Sequence, residues 1–168
     1  SRDENGHGTF LAGIAGGGFL DDGEFNGAAP YCRLAVVKLK PAKSYLLDFF
    51  LIRPEAEAYQ ENDIMMAIKY LYVTAMSRQM PLVILLGLGT NSGSHEGQSP
   101  LSSQLQSTTR FPGIISVVAA GNETGLGHHY HGEISPEVPY EDVEIYVGAR
   151  ETSEGFSMEM WGTGTGTF

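Results

Sequence analysis

The chain is poor in cysteine, in positive charge and in uninterrupted apolar runs, and each shortage removes a class of answers. Its one cysteine, Cys32, has no partner for an internal disulfide, and beside an apolar run it reads as a buried structural thiol. Ten Lys and Arg stand against 20 Asp and Glu, and the net charge of -10 repels phosphate backbones and anionic lipid. Neither nucleic acid nor a membrane is therefore expected as a partner. The longest apolar run, "PLVILLGLG", has the length of a strand and falls well short of a bilayer span. No basic head followed by an apolar middle opens the chain, so no signal peptide is expected there. It begins on Ser1 with chemistry-bearing residues almost at once, which suggests an excised or processed piece.

What is present suffices for one core: 168 residues, 42% of them hydrophobic, can fill a single domain but not two full ones. Residues 7 to 17 read as a helix whose glycines and alanines suit close approach to neighbours better than helix propensity, hence a buried helix. "RLAVVKLK" reads as a strand, and the aromatic segment from Pro41 to about Glu61 as a lid or packed surface loop. In "NDIMMAIKYLYVTAMSRQM", Asn62 or Asp63 offers a cap, while Ile64, Ala67, Ile68, Leu71 and Ala75 mark one helical face. "PLVILLGLG" and "GIISVVAAGN" are continuous apolar strands of the kind buried on both faces of a parallel sheet, with a short helix at 101 to 110 between them. This alternation predicts a three-layer α/β domain with a mainly parallel sheet over residues 1–140. From 141 to 168 the period changes to two, and "VEIYVGAR" and "GFSMEMWG" around "ETSEG" predict an antiparallel hairpin at 143 to 162, the incomplete start of a second, all-β unit.

Chemistry concentrates in "DENGHGTFLAGIAGGG", where His7 lies between Gly6 and Gly8 at a helix start. There the positive end of the helix dipole favours the neutral imidazole that a general base requires. A histidine that merely begins a helix is the plainer alternative. Two further segments favour the chemical reading, because "NGHGTFLAGIAGGG", "SVVAAGNETG" and "VILLGLGTNSGSH" together resemble the subtilisin-like serine proteases. The first is similar to the family's histidine motif, the second to the segment whose asparagine helps form the oxyanion hole, the third to the strand that pairs with extended substrate.

Within that family, "VVKLKPAKSYLLDFF", "AYQENDIMMAIKYL", "LGTNSGSHEG" and "GFSMEMWG" resemble the germination-associated Csp proteases of spore-forming clostridia. The resemblance implies a partial subtilisin-like domain followed by an inserted β-sandwich of jelly-roll type, beginning where the hairpin is expected. It also implies His7 as general base, Asn122 as oxyanion donor, and Gly87, Leu88 and Gly89 as a backbone wall for a protein or peptide substrate. Gly87 stands where the family often has serine. The family's aspartate and serine motifs have no counterpart here, and "GTGTGTF" supplies no serine, so the chain alone is expected not to hydrolyse peptides. A non-catalytic relative with a binding or signalling role in germination is the alternative. A spore or extracellular location follows if the Csp resemblance holds.

Lesser signals give little more. "GHHYHG" groups His128, His129 and His131 without a cysteine or a well-spaced acid, and reads as a solvated loop rather than a metal site. "DDGEFN" is oxygen-rich but lacks the alternation of a calcium loop, so it reads as a charged turn, with calcium as the alternative. "GIAGGG" closes a helix instead of joining a strand to one, which argues against phosphate binding. No cofactor is expected. The open edges of an unfinished hairpin offer a surface for self-association.

Overall fold

The computed structural model describes residues 2–20, 23–147 and 155–162. Its elements are α1 (His7–Gly16), α2 (Ser44–Phe49), α3 (Glu61–Ser77), β1 (Leu82–Leu86), α4 (Pro100–Thr109) and β2 (Ile114–Val118). The two strands pair in parallel, with Leu82 opposite Ile114 and Leu86 opposite Val118, and Ala119 N–H extends the ladder to Leu86 O at 3.0 Å. A parallel pair demands a crossover between its strands, and α4 provides it.

Helices α3 and α4 pack against each other and against one face of this pair. Ile64 and Ile68, four residues apart on α3, meet Ile84 of β1 and Ile114 of β2 in the core. The expected face of α3 is the one that turns inward, with Ile64, Ile68 and Ala75 buried and Ala67 and Leu71 half-buried. Its cap differs from expectation. Gln60 occupies that position without a side-chain bond, and Asp63 lies in the first turn, where its charge complements the helix dipole. The start of α4 is better defined: Ser99 Oγ accepts from Ser102 N–H at 3.1 Å and Pro100 opens the helix. Two bonds join the helices, Leu101 N–H to Glu61 Oε1 at 3.0 Å and Gln104 Nε2 to Met65 O at 2.9 Å.

Several expectations are corrected. Both strands are apolar except for Ser116 of β2, yet burial alternates: Ile84 is 1% exposed while Val83, Leu85, Ile115 and Val117 on the other face are open. Residues 33–40 form no strand, because strand-like side chains make a strand only where a ladder partner exists; the nearest pairing is an isolated antiparallel bridge between Pro41 and Tyr59. In the aromatic segment, residues 44–49 are helical. Cys32 is exposed, although its Sγ lies over Gly16. Residues 143–147 and 155–162 lie in no strand, and the intervening turn, like Asp21, Asp22 and the closing residues 163–168, falls outside the described residues.

Helix α1 is where expected but not buried: among its residues only Gly16 is. Its C-terminal end is held through backbone. Ala28 N–H and Ala29 N–H donate to Ile14 O and Ala15 O at 2.8 Å each, and Gly27 N–H donates to Gly17 O at 3.0 Å, so carbonyls at the helix end find partners. That approach requires glycine. A Cβ on Gly27 would run into the Gly17 amide nitrogen, with Gly13 O and Gly16 C both at 2.9 Å.

Candidate active site

In a parallel α/β sheet the loops beyond the carboxyl ends of the strands converge on one edge, and ligands bind there. The candidate residues fall on that edge. Gly87, Leu88 and Gly89 continue directly from β1, and Asn122 lies beyond β2 after Gly121, whose φ of 92° turns the chain. Since Ala119 N–H bonds Leu86 O, the two segments leave the sheet side by side. The loops beyond them also touch: the rings of His95 and His129 stack with centroids 5.4 Å apart.

His7 reaches this edge from α1. A Cβ on Gly87 would stand 3.7 Å from His7 Cε1 and would run into Leu11 Cδ1, so the ring and the following turn of α1 both pack over Gly87. Glycine there makes room for the histidine, a role that serine could fill only by displacing Leu11. The His7 side is otherwise open to solvent. Asn122 is exposed as well, as are the loop residues that follow it.

The most densely bonded part of the region lies just before His7. Asp3 Oδ1 accepts from Asn5 N–H at 3.1 Å and Gly6 N–H at 2.9 Å, and Asp3 Oδ2 accepts from Thr9 N–H at 3.0 Å and Thr9 Oγ1 at 2.6 Å. The Thr9 hydroxyl above all, with these amides, holds the Asp3 carboxyl well below the usual aspartate value. His7 N–H donates to Asn5 Oδ1 at 3.0 Å, and Asn5 Nδ2 donates to Glu57 Oε1 at 2.7 Å. Near this network, burial and then the Glu57 carboxylate push the Tyr59 phenol up. None of Asp3, Asn5 and Glu57 was expected from the sequence reading. The available signal was an Asp and an Asn a few residues ahead of a helix, the usual sign of side-chain capping.

Several side chains of the neighbouring loops have local partners. Ser99 caps α4. His128 Nδ1 bonds Glu123 Oε2 at 2.9 Å, and among the described residues no group of three His, Cys, Asp or Glu side chains could hold a metal ion. Glu159 returns to the loop after β1, where its Oε2 accepts from Gly93 N–H at 2.7 Å and Trp161 Nε1 at 3.0 Å. No helix among the described residues is long and apolar enough to cross a membrane.

No curated protein sequence gives a significant match. Among solved structures, the chain is similar to the Clostridium perfringens CspB protease, with 33% identity and a TM-score of 0.62. The similarity covers 76% of this chain and 25% of that one, so the match spans about a quarter of the solved protein. The sequence model of the subtilase family matches residues 1–153, which include the histidine segment, both strands and the asparagine segment. The chain belongs to the subtilase family.

Proposed function

We propose that this chain carries the base and oxyanion-binding parts of a subtilisin-like serine endopeptidase, and that alone it does not hydrolyse peptide bonds. The observation that supports this reading is the His7 ring lying against Gly87, at the carboxyl edge of the parallel pair from which Asn122 also emerges. In this scheme a serine supplied by the rest of the protease attacks the substrate carbonyl while His7 takes its proton. The Asn122 amide donates to the oxyanion, and His7 then delivers the proton to the leaving amine. Loss of such a donor lowers the rate on the order of 10²-fold or more. Backbone of Gly87, Leu88 and Gly89 pairs with the extended substrate, which is a protein or peptide. No cofactor enters the reaction. In the same reading, the segment from residue 141 onward begins an inserted β-sandwich.

Fluorophosphonate labelling followed by intact mass tests the proposal. The expected result is no adduct on the 168-residue chain and a single adduct on the full-length protein, lost in His7→Ala. A histidine-dependent adduct on this chain would place the nucleophile within it, at a serine such as Ser92, Ser94 or Ser99, and overturn the scheme. A full-length protein that folds yet takes no label would instead be a non-catalytic binder.

A further inference from the structure

We infer that Asp3 is a positioning residue for His7: its carboxylate replaces the missing cap of α1 and thereby fixes where the base lies over Gly87. This rests on His7 being the general base. The capping position of α1 is Gly6, which has φ of 89° and no side chain to accept from the first turn. A helix start of this kind leaves amides without partners, and the end frays unless they are found elsewhere. Asp3 provides for Thr9 N–H from six residues away, and Asn5 provides for His7 N–H. The same carboxylate binds Gly6 N–H and the Thr9 hydroxyl, so its two oxygens clasp the turn from both sides of His7.

Burial cannot do this work, because no apolar side chain of α1 is buried. The segment is moored to the rest of the protein by two further bonds, Asn5 Nδ2 to Glu57 and Lys38 Nζ to Arg2 O at 2.6 Å. Movement of the Asp3 clasp therefore becomes movement of the imidazole. A base displaced by about 1 Å costs on the order of 10²-fold in rate, whatever else remains intact.

Two experiments test the inference, and they fail separately. In the 168-residue chain, Asp3→Ala is expected to speed exchange of the Thr9 amide about tenfold and to abolish the nuclear Overhauser contact between His7 Hε1 and Gly87 Hα. Amides of α3 and β1 keep their protection. Thr9→Val gives a partial loss, and Thr9→Ser restores the contact, which keeps the inference open to refutation if Asp3→Ala does not fold. Persistence of the His7 contact at native strength in Asp3→Ala, or in Thr9→Val when Asp3→Ala is unfolded, overturns it. In the full-length protein, sites are counted by fluorophosphonate titration. Asp3→Ala is expected to lower kcat per titrated site by about 10- to 100-fold with KM nearly unchanged. A residue needed only for folding would lower the number of sites and leave kcat per site alone, which would refute positioning. If the wild-type protein takes no label, the protease reading fails while the measurement on the chain still decides what Asp3 does.

Discussion

Helix α3 buries Ile64 and Ile68 to 6% and 1% exposure, whereas α1 buries no apolar side chain and is held by hydrogen bonds at its two ends. The difference is one of physics as well as degree. Apolar burial is non-directional and grows with area, so it secures a long element without fixing any one atom closely. A few directional bonds secure little area but define an end within a narrow range. The helix that carries His7 at its first position is anchored in the second way.

The comparison breaks most readily on the apolar side. Ile68→Ala removes the most buried side chain of α3 and is expected to destabilise the chain by about 2 to 5 kcal/mol, read from the denaturant midpoint. Domains have only about 5 to 15 kcal/mol in all, and among the described residues few side chains are buried. A change below about 1 kcal/mol would mean that the Ile64, Ile68, Ile84 and Ile114 cluster is not what holds α3 in place.

On the polar side, Gly27→Ala is expected to cost about 1 to 3 kcal/mol, since its Cβ meets backbone and cannot be relieved by a rotamer change. Gly87→Ala is the informative contrast. There the obstruction is the end of the Leu11 side chain, which can swing away, so the expected loss is below about 1 kcal/mol. Equal losses at the two glycines, measured by the same denaturant titration, would show that backbone approach at the end of α1 is not what sets the difference.

One residue inverts the comparison within the apolar half. Ser116 Oγ is buried on β2 with no hydrogen-bond partner among the described residues, opposite Ile84. A hydroxyl desolvated without a partner is a net cost, so Ser116→Ala is expected to stabilise by up to about 1 kcal/mol. Destabilisation in that variant would show that the hydroxyl is bonded in solution.

The same contrast explains what could be read from the sequence. The face of α3 was legible because burial leaves a period in the residue pattern, as Ile64, Ile68 and Ala75 show, and the two strands were legible as continuous apolar runs. That only one face of β1 and β2 is covered was not, because Val83 and Leu85 look the same in sequence whether or not anything lies over them. The strand expected at 33–40 failed for a related reason, since pairing depends on a partner elsewhere. At the site, the residues singled out around His7, Gly87 and Asn122 fall on one edge of the sheet. The clasp on it stayed hidden, because Asp3 to Thr9 is a bond between side chain and backbone across six residues that no periodicity records.

The smallest effect tests the clasp through its charge. Hydrogen bonds from the Thr9 hydroxyl, Gly6 N–H and Thr9 N–H keep the folded Asp3 carboxyl ionised well below its ordinary value of 3.8. A carboxylate whose value is depressed by folding contributes in full above the unfolded value and loses that contribution as pH falls through the folded one. The start of α1 should therefore be indifferent to pH from neutrality down to about pH 4 and loosen only below it. The Thr9 amide resonance reports this directly, and its shift is expected to begin below 3.8 and to vanish in Asp3→Asn. Asparagine offers one acceptor oxygen where the carboxylate offers two, so either the Thr9 pair or the Asn5 and Gly6 amides lose their partner, and the variant should resemble the acid form at every pH. A midpoint at or above 3.8 would mean that Asp3 is ordinary and solvated, and that α1 begins where it does for another reason.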